Sequence, residues 1–180
     1  LVSFLVFVTG VVLFIRFFVF NPYTVVGQSM EPMFHQGDFI IVDKITPKVG
    51  TLERGDIIVF VPQGKTVPYI KRIVWLPGEI VKINNNKVMI CSSEDEDSCW
   101  DLPEAYLPVG TSTSIRSCQK SEFPVDGDWF FVLGDNRDHS TDSRCCFGLA
   151  CYKDANYLVY DADMIGKVAL KLYPSIERHW

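Results

Sequence analysis

The chain opens with a run of twenty residues, 1–20, that is apolar except for Ser3, Thr9, Gly10 and Arg16. Roughly 20 apolar residues in a helix cross the hydrocarbon of a bilayer, so this run predicts a membrane anchor. Proline lacks a backbone donor and disfavours helical geometry before it, so Asn21-Pro22 predicts the end of the helix. A cleaved secretory signal is the alternative, but no small-residue cleavage site follows and the run is long for one. We therefore expect an uncleaved transmembrane anchor over residues 1–20.

Beyond the anchor, short β-branched and aromatic runs alternate with turn residues, which predicts an all-β domain over residues 21–180. The predicted strands are 38–43, 56–61, 68–75, 79–83, 87–90, 128–133 and 164–172. Asn84-Asn85-Asn86 separates two of them and predicts a hairpin turn. The stretch from about residue 91 to 126 is polar and rich in proline and cysteine, so we interpret it as an insertion outside the sheet core.

Six cysteines are many for 180 residues, and they are Cys91, Cys99, Cys118, Cys145, Cys146 and Cys151. No Cys-x-x-Cys pair is present, so a zinc site is poorly supported. Disulfides on the outer side of a membrane fit better. The pairing of Cys91 with Cys99 is the one we favour, and the other pairings stay open.

The charge of the chain bears on its partners. The net charge is −5, which argues against nucleic acid because nucleic-acid binding needs a basic surface. The acidic run at residues 94–97 lacks the glycine and the spaced ligands of a calcium loop, so we interpret it as a solvated tip. Neither nucleic acid nor a metal ion is expected.

Ser29 lies only a few residues after the apolar run, which puts a potential nucleophile near a membrane surface. A serine hydroxyl needs a base before it acts as a nucleophile. The histidines that could serve are His35, His139 and His179. No Gly-x-Ser-x-Gly elbow is present, so a Ser-His-Asp triad is only weakly supported.

Lys71 is the other candidate base, because it interrupts an otherwise apolar predicted strand. Adjacent strand residues point to opposite faces, so at least one of Lys71 and Arg72 must approach the core or a cleft. Burial depresses the pKa of a lysine from about 10.4 towards neutrality, and a neutral amine can take a proton from a serine hydroxyl. A lysine at a strand edge is the commoner case, so the residue pattern alone leaves its role open.

A polar segment follows the predicted strand 128–133 and runs from Gly134 to Arg144. Nearly every side chain in it can form hydrogen bonds. Asp, Asn and Ser favour turns, so the segment is either a plain loop or a buried network that braces a site.

Four motifs follow one another along the chain: Ser29-Met30-x-Pro32, Arg54-Gly55-Asp56-Ile57-Ile58-Val59-Phe60, Tyr69-Ile70-Lys71-Arg72-Ile73-Val74-x-Leu76-Pro77-Gly78, and Gly134-Asp135-Asn136-Arg137-Asp138 with Asp142-Ser143-Arg144. Their order and spacing, with an anchor upstream, resemble the bacterial type I signal peptidases. The resemblance covers essentially the whole chain apart from the cysteine-rich stretch. It implies that family's fold of antiparallel β-sheets, which is related to the fold of self-cleaving repressor peptidases.

The resemblance implies a serine endopeptidase, without metal or cofactor, that removes signal peptides from exported preproteins. The enzyme would act on the outer face of the bacterial cytoplasmic membrane. Ser29 would be the nucleophile and Lys71 the general base. Ser140 matches the serine that orients the lysine in this family. The residues that match its supporting scaffold are Arg72, Asp135, Asp142 and Arg144.

Substrate binding is expected along the segment before Ser29. The Ser29 backbone N–H is the expected first oxyanion donor. Gly27 stands where one branch of the family carries a serine as the second donor, so the second donor stays open. Glycine allows close approach of an extended substrate, and we expect the substrate to add as a β-strand beside residues 24–28. The expected substrate-binding residues are Val25, Val26, Gln28 and Ile70.

Two other functions compete with this interpretation. A self-cleaving repressor-type peptidase shares the serine and lysine pair, but it would be soluble and carry a DNA-binding domain in front. The predicted anchor and the acidic charge disfavour it. A catalytically inactive, membrane-tethered β domain that binds exported peptides is disfavoured by the presence of both Ser29 and Lys71.

Overall fold

The structure is a computed structural model that describes residues 1–92, 98–115, 118, 120–125, 127, 129–149 and 156–173. Helix α1 (Val2–Phe14) continues as a π-helical stretch, Ile15–Val19. The helix therefore ends just before Asn21-Pro22, as predicted. Within the described part of the chain, no helix has both the length and the apolar character needed to cross a membrane.

The rest of the described chain is mainly β-structure, with a single helical turn α2 (Thr46–Val49) after the second strand. The strands are β1 (Phe20–Thr24), β2 (Phe39–Asp43), β3 (Ile57–Phe60), β4 (Tyr69–Trp75), β5 (Ile80–Asn84), β6 (Lys87–Cys91), β7 (Cys99–Asp101), β8 (Glu122–Pro124), β9 (Phe131–Leu133) and β10 (Met164–Tyr173). They form a six-stranded sheet in the order β1-β2-β10-β3-β4-β9 and a four-stranded sheet in the order β7-β6-β5-β8. Every pairing is antiparallel, which confirms the predicted class of fold.

Strand β1 was not predicted, because it follows the apolar run directly and contains Pro22. Proline cannot donate to a strand ladder and is therefore confined largely to edge strands. β1 is such an edge strand, and Pro22 lies opposite Ile41 of β2. The predicted hairpin does form between β5 and β6, with Asn85 and Asn86 at positive φ.

The cysteine-containing stretch from about 91 to 126 was interpreted as an insertion outside the sheet core, but part of it belongs to a sheet. It supplies β7 and β8, both in the four-stranded sheet. Phe123 and Val125 are buried in the largest apolar cluster of the protein. The strands escaped prediction because each has only three residues, too few to display an alternating pattern.

The described cysteines are all in disulfides. Cys91 is bonded to Cys99, as favoured from the sequence, and Cys118 is bonded to Cys145. Cys146 is also disulfide-bonded. Cys151 and the acidic tip at 94–97 lie outside the described residues.

Candidate active site

Ser29 lies in a turn after β1, between two side chains that are anchored in the core. Val25 and Met30 are both buried in an apolar cluster with residues of β2 and β3. The Val25 N–H donates to the Asp38 carbonyl at 2.8 Å. Gly27, between these anchors, has a φ of 92°, a conformation that favours glycine. The turn is thus fixed at both ends while Ser29 itself is half-buried.

Lys71 meets Ser29 from β4. Its Nζ lies 2.7 Å from Ser29 Oγ and 2.8 Å from the Ile70 carbonyl oxygen. The side chain is buried, and loss of hydration lowers the pKa of Lys71 to about 8, although the charges of Asp142 and Asp135 oppose the shift. A lysine in this state can serve as a proton acceptor for the hydroxyl beside it.

Arg72 is also buried, so both neighbours in β4 lie inside the protein. Its guanidinium forms a two-armed ion pair with Asp135, with Nε to Oδ1 at 2.8 Å and Nη2 to Oδ2 at 2.6 Å. A third nitrogen donates to the Gly55 carbonyl. The guanidinium also stacks over the Tyr106 ring, 4.1 Å from its centroid. These contacts tie β4 to the loop that follows β9.

That loop, residues 134–144, is a buried network rather than a plain polar loop. Asp142 accepts from Arg144 Nε at 2.9 Å, from Arg144 Nη2 at 2.8 Å and from the Gly134 N–H at 3.2 Å. Burial alone would raise the pKa of Asp142, but its hydrogen bonds and the Arg144 charge hold that pKa below its usual value. The carboxylate therefore stays ionised beside the site.

Ser140 is buried against Gly134 and lies near the Asp142 carboxylate, whose pKa it helps to lower. Its Oγ has no well-aligned hydrogen-bond partner among the described residues. Lys71 Nζ instead bonds Ser29 Oγ and the Ile70 carbonyl. The direct contact from Ser140 to the lysine that the family resemblance implies is thus not seen in the described part of the chain.

Two residues that hold Ser29 were not singled out from the sequence. The Asn136 N–H donates to the Ser29 carbonyl at 3.1 Å, and its side-chain amide donates to the Gln28 carbonyl at 3.0 Å. At Gly134 a Cβ atom would collide with the Ser29 carbonyl oxygen and with Ser140 Oγ. Both residues stand in the polar segment 134–144, but nothing in that pattern separates them from their neighbours.

A groove of about 610 Å³ runs past Ser29 and Lys71. All four predicted substrate-binding residues line it, together with Gly27: they are Val25, Val26, Gln28 and Ile70. Val25 is buried and lies at the floor of the groove, whereas Val26 is 83% exposed and lies at its rim. Among the described residues that line the groove, none carries a carboxylate, which suits an apolar peptide segment.

The histidines fall in different places. His139 lines the groove, His35 is an exposed turn residue outside it, and His179 lies outside the described residues. The hydrogen bond of Ser29 Oγ within the described part of the chain is to Lys71, not to a histidine. No group of three or more metal-binding side chains is arranged to hold an ion in the described ranges.

The family model described as signal peptidase, peptidase S26, matches residues 1–173. The chain belongs to this family. It is therefore a serine peptidase, and the serine and lysine at the groove lie in a member of the signal peptidase family.

Similar proteins carry the corresponding name. Signal peptidase I of Bacillus amyloliquefaciens is 34% identical over 146 residues, which span 76% of this chain and 70% of that protein. Signal peptidase I T of Bacillus subtilis strain 168 is 34% identical with the same coverage. A crystal structure of a signal peptidase I from Enterococcus faecalis V583 is 25% identical, with a TM-score of 0.48, and the match covers 68% of this chain and 100% of that one.

Proposed function

We propose that this chain is a membrane-anchored endopeptidase that cleaves signal peptides from exported preproteins, with Ser29 as nucleophile and Lys71 as general base. The observation that carries the proposal is the 2.7 Å separation of Lys71 Nζ from Ser29 Oγ. The lowered pKa of Lys71, about 8, supports the role of base because a usable fraction of the amine is neutral near physiological pH. Membership of the signal peptidase family supports the substrate class.

The reaction would proceed in two halves. Neutral Lys71 takes the Ser29 Oγ proton as the oxygen attacks the scissile carbonyl carbon. The Ser29 backbone N–H stabilises the negative charge that develops on the carbonyl oxygen. Lys71 then gives its proton to the leaving amine as the C–N bond breaks. A water molecule, activated by the same amine, hydrolyses the acyl ester on Ser29.

The supporting residues would act by holding Lys71 in place. The Arg72–Asp135 pair fixes β4 against the loop 134–144, and Asp142 with Arg144 fixes the loop itself. We assign Ser140 an orienting role, because its buried hydroxyl lies beside Gly134 in the same loop. These residues are proposed to position groups rather than to react.

The substrate would bind in the groove as an extended strand beside residues 24–28. The Val25 backbone is already bonded to Asp38 and Gly37, so a peptide would form main-chain hydrogen bonds with the remaining backbone groups of this segment. Alternate side chains of the peptide would enter the groove. Val25, Val26 and Ile70 make that groove apolar, while Gln28 lies next to the nucleophile. Members of the signal peptidase family prefer small residues at the first and third positions before the cut, and we expect the same preference here.

Residues 1–20 would hold the site at the membrane. The side chains of α1 are exposed and, apart from Ser3 and Thr9, apolar, which supports contact with lipid. The two described disulfides support a location on the oxidising, outer face of the bacterial cytoplasmic membrane. A signal peptide emerges at that face close to the bilayer, where Ser29 would meet it.

The test uses the full chain in phospholipid vesicles and a preprotein with alanine at the first and third positions before the cut. Ser29→Ala and Lys71→Met should each abolish cleavage while the circular dichroism spectrum is kept. Ser121→Ala and Lys48→Met, both at exposed positions, are the matched controls and should cleave normally. Near-normal turnover in either site variant would refute the pair, and loss of turnover only on changing His139 or His35 would point to a triad.

A further inference from the structure

Three arginines are buried around the loop 134–144, and each has a carboxylate of its own. Two of these pairs, at Arg72 and Arg144, are described above. The third joins Arg137 to Glu104. Arg137 stands in the fourth sequence motif without an assigned role, and Glu104 was not singled out from the sequence. Glu104 belongs to residues 102–115, which we call the bracing segment, and this segment lies within the stretch first interpreted as an insertion.

The bracing segment satisfies the buried charge of Arg137. Its Nη1 donates to Glu104 Oε2 at 2.9 Å, its Nη2 donates to Glu104 Oε1, and Nη1 also donates to Thr113 Oγ1. The Tyr106 hydroxyl lies 3.3 Å from Nη2. The Arg137 side chain is only 1% exposed, so these partners replace the water that a guanidinium would otherwise bind.

Arg137 in turn holds the backbone next to the nucleophile. Its Nε donates to the Gly134 carbonyl at 3.2 Å, and its own carbonyl accepts from Arg144 Nη2 at 2.8 Å. Gly134 packs directly on the Ser29 carbonyl, and the neighbouring Asn136 donates to that same oxygen. A continuous series of contacts therefore runs from Glu104 to Ser29.

Two further contacts tie the same region of the chain to this loop. Arg144 Nη1 donates to the Ser114 carbonyl at 3.0 Å, so a second buried arginine reaches the bracing segment. Just beyond that segment, Cys118 is bonded to Cys145, the residue after Arg144. The loop that carries the Asp142 carboxylate is thus connected to residues 102–118 by an ion pair, a hydrogen bond and a disulfide.

We propose that Glu104 is a positioning residue, and that the bracing segment acts through Arg137 to set the contact between Ser29 and Lys71 and to keep water from Lys71. The proposal deepens the function proposed above and rests on it. Glu104 is a partner of Arg137 and is not among the described residues that line the groove. Its loss should therefore affect the chemical step more than substrate binding.

The test compares the Glu104→Ala variant with the parent protein, both as full chains in vesicles. Initial rates of cleavage are measured from about pH 6 to about pH 10. We expect kcat to fall roughly 10–100-fold with KM within about twofold, because small displacements of reacting groups cost about that much. We also expect the pH midpoint of kcat/KM to rise, since water that reaches Lys71 returns its pKa towards the ordinary lysine value. A loss of folded protein alone would lower the amount of active enzyme and leave that midpoint unchanged.

Two companion variants complete the design. Glu104→Asp keeps the carboxylate that pairs with Arg137, so it should restore part of kcat and move the midpoint back towards the parent value. Asp101→Asn removes a neighbouring exposed carboxylate and should match the parent protein. If Glu104→Ala does not fold, Thr113→Val, which deletes one acceptor of Arg137 without changing side-chain size, should show the same changes at smaller amplitude.

The outcomes separate this proposal from the preceding one. Retained turnover in Ser29→Ala would overturn the proposed function itself. With Ser29→Ala inactive, a folded Glu104 or Thr113 variant that has the parent kcat and the parent pH midpoint would overturn the bracing role alone. An increase in KM with kcat unchanged would also overturn it, because that result assigns Glu104 to substrate binding.

Discussion

Arg72 and Asp135 form a two-armed, buried ion pair, and Arg72 is the residue directly after Lys71 in β4. Lys71 therefore lies beside a position whose side chain is fixed by two hydrogen bonds to the loop after β9. The carboxylate that fixes Arg72 also opposes the lowering of the Lys71 pKa. The same pair thus acts on both the position and the protonation of the proposed base.

Breaking this ion pair should be costly for stability. Asp135→Leu leaves the Arg72 guanidinium buried without its partner, which typically costs about 3–5 kcal/mol. The double variant Arg72→Met/Asp135→Leu should lose less than the sum of the two single changes. Urea unfolding in detergent measures all three. Lys87→Met, which breaks the exposed pair with Asp101, is the control and should change stability by less than about 1 kcal/mol. Additive single effects would contradict the expected coupling.

The rate of cleavage should depend on the protonation of Lys71. Because the neutral amine is the proposed base and its pKa is about 8, kcat/KM should rise with pH through about 8 and then level off. Below that midpoint the rate should fall tenfold per pH unit, since the protonated amine cannot accept a proton. Initial rates with a fixed preprotein measure the profile. A rate that is independent of pH between about 6 and about 9 would argue against a lysine base.

Lys71 should reduce stability while it supports catalysis. Its folded pKa of about 8 lies below the ordinary lysine value of 10.5, so the folded state resists protonation. This cost is fully present below pH 8 and is relieved as the pH rises towards 10.5. Lys71→Met should therefore stabilise the protein at neutral pH by about 1–3 kcal/mol, with less gain in alkali. Thermal unfolding of the parent and the variant at neutral pH and at a pH near 10.5 tests this. Lys48→Met is the control and should show no such pH-dependent gain.

Gly134 should tolerate no side chain. In Gly134→Ala the new Cβ would push against the Ser29 carbonyl oxygen and Ser140 Oγ, so Ser29, the proposed nucleophile, must shift. We expect kcat to fall roughly 100-fold, as misplacement of a reacting group by about 1 Å can cost that much. Gly10→Ala is the matched control, because a Cβ there meets nothing within 4 Å. A Gly134→Ala enzyme with the parent kcat would show that the loop can retreat freely.

More of the candidate site than of the strand arrangement could be predicted from the sequence. Lys71 could be recognised because a charged residue in an apolar strand contradicts its surroundings, and Ser29 because it matched a motif in order with three others. Arg137 stood in one of those motifs, but Glu104 gave no such signal, since the pairing joins segments 33 residues apart that meet only after folding. The strands β1, β7 and β8 were missed because they are short or contain proline, and their pairing depends on neighbours elsewhere in the chain.

The hydrogen bonds from Asn136 have a consequence for when the protein becomes active. Asn136 and Gln28 are 108 residues apart, and their contact joins the segment after β9 to the segment after β1, the two edges of the six-stranded sheet. Contacts of such long range form only once most of the chain has been made and ordered. A partly synthesised copy that already contains Ser29 and Lys71 therefore lacks the hydrogen bonds that hold Ser29 and Gln28. Such a copy should have no peptidase activity until the segment after β9 has been made and ordered.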